Sequence, residues 1–219
     1  MPLLVKICGL TTPATVEAAL DAGADLIGFV FHPRSPRAIT PEAAAPLARM
    51  AAGRAATVAL LVDPAIETAR AIAAAVRPDY LQLHGSETPE TVATLKAATG
   101  CHVLKAVGVA TAGDLAAIAR YRPVADRILI DAKPPRDAAY PGGHGRPFDW
   151  TLLQALDPAL PFLLSGGLTP ETVADAVRTV RSYGVALAGV DVSSGVESAP
   201  GVKTVDLIRA FVAAARAAG

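Results

Sequence analysis

Two hydrophobic periods alternate along the chain. Short runs dense in Val, Ile, Leu and Phe recur eight times: LLVKIC from residue 3, LIGFVF from 26, TVALLV from 57, YLQLHG from 80, HVLKAV from 102, RILIDA from 127, PFLLSGG from 161 and GVDVSSG from 189. Each has the length of a strand and is bounded by turn residues. The alanine-rich stretches between them carry helical spacing, as in Val16, Ala19, Leu20 and Ala24, or Val92, Leu95 and Lys96 before Gly100. Such stretches predict amphipathic helices packed on a sheet.

The helix starts are almost literal repeats: TPATV at 12, TPEAA at 40, TPETV at 88 and TPETV at 169. Threonine caps a helix, and proline suits its first position, where no amide hydrogen bond is needed. The starts are 28, 48 and 81 residues apart, near one, two and three multiples of about 27, which is also one eighth of the 219 residues. Eight strand–helix units imply parallel strands and right-handed crossovers. They predict an α/β chain folded as a single-domain (β/α)8 TIM barrel over residues 1–219. The competing architecture, a doubly wound open sheet, would normally place a G-x-G-x-x-G fingerprint after the first strand, where this chain reads CGLTTP. No Ser/Gly-rich linker divides the chain, and the longest interruption, PPRDAAYPGGHGRPFDW at 134–150, is predicted to be a lid loop.

Composition narrows the function classes. At 52% hydrophobic and 18% charged residues, the chain has ample material for a large core. Twenty basic and twenty acidic side chains cancel, which removes the broad positive field of a general nucleic-acid binder; any anion site must be local. The two cysteines, Cys8 and Cys101, match no metal-ligand or disulfide spacing, so no metal is expected and reduced thiols in the cytoplasm are. The start MPLLVKICG is not a signal peptide, and no apolar run approaches the roughly 18 residues of a membrane span, so no membrane partner is expected.

In such barrels the chemistry lies at the carboxyl ends of the strands. Collected there are Lys6 and Cys8; His32, Arg34 and Arg37; Asp63; Gln82 and His84; Lys105; Asp131 and Lys133; Ser165; and Asp191, Ser193 and Ser194. LLSGGLTPETV and GVDVSSGVE put Gly166 and Gly167, then Ser193, Ser194 and Gly195, after the last two strands. Glycine turns expose backbone amides to an anion, and the loops after strands seven and eight commonly bind phosphate, so the expected partner is a phosphorylated small molecule. Arg37, in the prolyl loop FHPRSPR, is suited to grip a carboxylate with paired hydrogen bonds, whereas Arg34 reads as solvated. Asp131 ends an apolar strand, where a carboxylate is costly to desolvate without a role or a partner; Lys133 and Lys105 are the structural partners on offer.

The ordered set KICGL, FHPRSPR, QLHG, ILIDA, GGHGRPFDW, LSGGL, VDVSSGVE and PGVKTVDLI resembles the phosphoribosylanthranilate isomerase family over nearly the whole chain. The resemblance implies the (β/α)8 fold and a cofactor-free Amadori rearrangement, an aldose–ketose isomerisation in tryptophan biosynthesis. Its substrate would be N-(5-phosphoribosyl)anthranilate, converted to 1-(2-carboxyphenylamino)-1-deoxyribulose 5-phosphate. It implies Cys8 as general base, Asp131 as general acid and Arg37 on the anthranilate carboxylate. It places the phosphate on Gly166, Gly167, Ser193, Ser194 and Gly195, with Asp191 steadying a ribose hydroxyl or the loop. His144 departs from the Ser or Thr expected in the lid. His32, His84 and Cys101 read as structural.

Reference pKa values of about 3.9 for Asp and 8.5 for Cys would leave the acid ionised and the base neutral at pH 7, the reverse of what the reaction needs. Burial can raise the acid and a cation can lower the thiol; Lys6, two residues before Cys8 on the same strand face, is the expected cation. Two other functions compete. The related histidine-pathway isomerase resembles a design with carboxylates in both catalytic positions and two phosphate grips, and a phosphosugar-binding barrel would lack turnover. A monomer and a homodimer both fit.

Overall fold

The computed structural model describes residues 2–133 and 148–219. The eight apolar runs are the eight strands of a barrel: β1 (Leu4–Cys8), β2 (Leu26–Val30), β3 (Ala56–Leu61), β4 (Tyr80–Leu83), β5 (His102–Val109), β6 (Arg127–Ala132), β7 (Phe162–Leu164) and β8 (Leu187–Val192). They pair in chain order and in parallel, and β8 returns to β1 with Lys6 opposite Asp191, so the sheet is closed. Closure excludes the doubly wound alternative.

The helices are less regular than the strands. Helices α1 (Pro13–Asp21), α2 (Pro41–Met50), α3 (Ile66–Val76) and α4 (Pro89–Thr99) follow the first four strands. After β5 there is only a short α5 (Ala112–Ala116) and a 3-10 turn (Ile118–Tyr121), and the described chain before β7 holds another 3-10 helix (Trp150–Ala155). The predicted lid lies outside the described residues through 147, as does His144. Helix α6 (Val173–Ser182) follows β7. A hairpin of β9 (Glu197–Ala199) and β10 (Val202–Lys203), which strand counting did not anticipate, separates β8 from α7 (Val205–Ala218). No described helix is long and apolar enough to cross a membrane.

Three of the four Thr-Pro signals cap helices as predicted. Thr12, Thr40 and Thr88 accept hydrogen bonds from the amides of Thr15, Ala43 and Thr91, each at 3.3 Å, with proline in the first turn. The fourth does not: Thr169-Pro170 opens a turn in which Thr172 Oγ1 accepts the Thr169 N–H at 2.9 Å, and α6 begins only at Val173. That local alternative bond competes with helix initiation.

Apolar side chains fill two shells. Strand alternation sends Val5, Ile7, Ile27, Phe29, Leu81 and Leu83 outward to the helices. Leu26, Val58, Leu104, Ala106, Leu129 and Leu163 pack separately inside the barrel, and Cys8, Val30 and Leu60 form a small cluster of their own.

At the opposite, amino-terminal rim, a repeated device locks strands in pairs. The carboxylates of Asp25, Asp79 and Asp126 each accept the amide of the preceding strand's Val5, Thr57 or Val103 at 2.7 Å. Their own amides donate back to the carbonyls of those same three residues at 2.9, 3.0 and 2.9 Å. The fourth pair has Ala186 at the corresponding place, and there the Phe162 amide donates instead to the Ala186 backbone carbonyl, at 3.2 Å. This rim supports the fold and leaves the other end of the barrel to chemistry.

Candidate active site

Cys8 is the last residue of β1, 3% exposed. Its register partner on β2 is Gly28, and a Cβ there would stand 3.0 Å from the Cys8 sulfur, so the glycine makes room for the thiol. Lys6 points into the same interior and is fully buried, but its Nζ is 2.6 Å from Asp191 Oδ1. Asp191 Oδ2 accepts the Ser165 hydroxyl at 2.9 Å, so both carboxylate oxygens are engaged within the barrel.

This pairing changes the electrostatics expected from the sequence. Burial pushes the Cys8 thiol up, and the Asp191 carboxylate adds to that; Lys6 and Lys203 pull the other way without reversing it. The net direction is therefore upward, because burial outweighs the lowering that Lys6 exerts as expected. Burial pulls the Lys6 ammonium down, but Asp191 and Cys8 together more than offset this and hold it above the ordinary lysine value. Its charge is committed mainly to the carboxylate.

Asp131 lies on β6, 5% exposed. Neither lysine considered for it is its partner. Lys133 Nζ bonds Asp114 at 2.8 Å, and Lys105 Nζ bonds Glu87 at 2.7 Å in a buried pair outside the barrel interior. The group facing Asp131 is His84, just past β4, with Nε2 at 3.4 Å from Oδ2; on its far side, His84 Nδ1 is 3.4 Å from Gln82 Nε2. His84 thus stands at the site, where the sequence reading left it structural. The loop that carries it is braced from behind: Glu87 accepts the amides of Asp63 and Gly85, and the Tyr121 hydroxyl donates to its carbonyl.

Gly166 has a φ of +89°, and a Cβ on it would meet the Ala132 amide at 2.8 Å and Asp131 Oδ1 at 3.2 Å. The first glycine turn is therefore packed directly on the candidate acid. Gly195 is excluded from carrying any side chain, because its Cβ would lie 1.9 Å from the Leu168 carbonyl oxygen. The two turns after β7 and β8 touch there and form one continuous backbone surface. Ser193 and Ser194 lead into a short 3-10 turn (Ser194–Val196), and the Ser193 hydroxyl donates to the Cys8 carbonyl at 3.2 Å.

Arg37 is buried, while Arg34 is exposed. Its Nε and Nη2 donate to Glu197 Oε1 and Oε2 at 2.7 and 2.8 Å, a paired grip. Lys203 Nζ joins the same carboxylate at 2.5 Å and also donates to the Ser193 carbonyl at 3.0 Å. Backbone approaches make this packing possible: a Cβ on Gly9 would sit 2.7 Å from Arg37 Cδ, and one on Gly201 would sit 2.3 Å from the Pro36 carbonyl oxygen. Glu197 and Lys203 were not read from the sequence as site residues, although the string VESAPGVK, a Pro-Gly turn between two short runs, signals the hairpin that bears them.

Cys8, Asp131, His84, the two glycine turns and Ser193 thus meet at one end of the barrel, with Arg37 joined to them through Glu197 and Lys203. Among the described residues, no cluster of three or more His, Cys, Asp or Glu side chains is arranged to hold a metal ion. Cys101 lies apart from this group, half-buried beside Thr99.

Comparisons with known proteins agree with one another. The family model described as N-(5'-phosphoribosyl)anthranilate (PRA) isomerase matches residues 5–214. The N-(5'-phosphoribosyl)anthranilate isomerase of Afipia carboxidovorans is 56% identical over 218 residues, covering 100% of this chain and 91% of the relative. A crystal structure of phosphoribosyl anthranilate isomerase in complex with reduced 1-(o-carboxyphenylamino)-1-deoxyribulose 5-phosphate superposes with a TM-score of 0.81 at 33% identity, covering 98% of this chain and 99% of that one. A structure of mutually generated monomers of the dimeric enzyme from Thermotoga maritima gives a TM-score of 0.80 at 34% identity, with the same coverage of 98% and 99%. With its closed barrel and a match that runs almost end to end, the chain belongs to the N-(5'-phosphoribosyl)anthranilate isomerases, the aldose–ketose isomerases of tryptophan biosynthesis.

Proposed function

We propose that Cys8 and Asp131 carry out this isomerisation as general base and general acid. Asp131, entering the step protonated, gives its proton to the furanose ring oxygen; the ring C1–O bond breaks and the anilino nitrogen's lone pair forms an iminium ion. The Cys8 thiolate then takes the proton from C2, and the electron pair left behind forms the enolamine, which tautomerises to the ketone. The observation that supports this reading most is the placement of the two groups at the ends of β1 and β6 of one closed rim, with Gly166 packed against Asp131.

In the same reading, the amides around Gly166, Gly167, Ser193, Ser194 and Gly195 hold the substrate phosphate. Arg37, its guanidinium oriented by Glu197, takes the anthranilate carboxylate. Asp191, held by Lys6 and Ser165, acts by fixing the floor beneath Cys8 rather than by binding the ribose. Because burial raises the free thiol, the cationic side of the site, Lys6 and Lys203, has to supply the stabilisation that favours the thiolate during turnover. The protein works as one domain over residues 1–219, in the cytoplasm, on a phosphorylated small molecule, with no cofactor, nucleic acid or membrane partner; a homodimer is supported by the dimeric relative, and the closed barrel also fits a monomer.

The test is turnover. Substrate made from anthranilate and phosphoribosyl pyrophosphate by a transferase should lose its fluorescence when this protein is added. Persistence of the fluorescence at micromolar protein would contradict the assignment.

A further inference from the structure

Around Arg37, the described chain holds a buried charged group that reaches the loop after β8 through Ser193. Arg37, Glu197 and Lys203 are two cations and one carboxylate, with side chains 4%, 4% and 1% exposed. Removing such charges from water is costly unless each is paired and hydrogen-bonded. Glu197 is paired on all sides: it takes Nε and Nη2 of Arg37, Nζ of Lys203 at 2.5 Å and the Gly201 amide at 3.2 Å. Lys203 continues to the Ser193 carbonyl and, at 3.3 Å, its hydroxyl, which in turn donates to the Cys8 carbonyl.

We infer that Glu197 and Lys203 are positioning residues for substrate selection: Glu197 fixes the plane of the Arg37 guanidinium so that it accepts a carboxylate, and Lys203 ties that setting to the anion-binding loop. The inference rests on the assignment of Arg37 to the substrate carboxylate.

Two features support a specific role over a general structural one. A paired Nε/Nη2 grip leaves the guanidinium no rotational freedom about Cδ–Nε, which is what discrimination of a planar carboxylate requires. The hairpin is held against the Arg37 loop by Gly201, whose backbone approaches the Pro36 carbonyl too closely for any side chain. A ligand that carries both phosphate and carboxylate engages both ends of the relay.

The experiment compares two substrates, prepared by condensing ribose 5-phosphate with anthranilate or with aniline, which lacks the carboxylate. The wild-type protein should favour the anthranilate compound in kcat/KM. In Glu197→Gln, which keeps the shape and one acceptor, that preference should fall at least tenfold, through a raised KM for the anthranilate compound, while the aniline compound loses far less. Lys203→Met should raise KM for both compounds, since both carry phosphate. If Glu197→Gln does not fold, Glu197→Asp, which retracts the charge by one methylene, is measured in its place, and the same fall is expected. Arg37→Met is the control on the underlying assignment. If it leaves the preference intact, Arg37 does not read the carboxylate. If it abolishes the preference while the Glu197 variants lose both substrates equally, Arg37 stands and the positioning role of Glu197 is overturned.

Discussion

Lys6 and Asp191 lie directly opposite each other where β8 closes on β1, and their side chains form a 2.6 Å ion pair in the barrel interior with the ammonium fully buried. The pair closes the barrel under the thiol of Cys8. It also decides how much positive charge the thiol receives, because the carboxylate that holds Lys6 repels the thiolate.

Breaking one side of the pair should be far costlier than removing both. Lys6→Met leaves a buried carboxylate unpaired, and the expected loss is about 3–5 kcal/mol in urea unfolding. The double variant Lys6→Met with Asp191→Leu should recover most of it. Equal losses in the single and double variants would show that the two side chains do not act as a unit.

The thiol should titrate high in the free protein. Burial raises it, so the neutral form dominates at pH 7 and alkylation of Cys8 by iodoacetamide should accelerate with a midpoint above the reference of about 8.5. Lys203→Met, which removes a cation that pulls the thiol down, should move that midpoint higher still. A midpoint below the reference value would mean that the cations, not burial, dominate.

Acid should loosen the joint between β5 and β6. Asp114 accepts from Lys133, which contributes most, and from the amides of Ala110 and Thr111; its carboxyl is thereby lowered to about 2. A group depressed in this way stabilises the fold above its unfolded pKa of about 3.9, and the contribution is lost as the pH falls toward 2. Asp114→Asn should therefore show a smaller fall in the urea midpoint between pH 5 and 2 than the wild-type protein. Identical slopes would remove Asp114 from the account.

The amino-terminal rim offers a prediction free of the chemistry. Asp79→Ala strands the Thr57 amide, whose hydrogen bond at 2.7 Å is lost, and should cost about 1–3 kcal/mol with kcat unchanged. A loss of activity at full stability would show that the rim communicates with the site.

The barrel was legible because its signals are local. Eight apolar runs and three helix starts of the Thr-Pro type sit where the sequence places them, and Gly195 lies in the turn after β8 that the motif marks, although its close approach to the Leu168 carbonyl is not written there. What the sequence concealed was pairing across the fold. Nothing near Lys6 shows that Asp191, 185 residues away, absorbs its charge, or that Glu197 grips Arg37 from 160 residues away. His84 was visible in QLHG, but its proximity to Asp131 depends on the curvature of β4 through β6, which hydrophobic periodicity does not encode. The hairpin after β8 escaped notice because each of its strands is too short to show a period.

The claim that Cys8 and Asp131 are the base and the acid is tested most directly by steady-state turnover of N-(5-phosphoribosyl)anthranilate in Cys8→Ser and Asp131→Asn, measured beside binding of the reduced product analogue. The account predicts that kcat falls about 100- to 10,000-fold in each variant while the analogue binds within a few-fold of wild type, because the phosphate and carboxylate contacts remain. A kcat in Cys8→Ser close to that of the wild-type protein would contradict it.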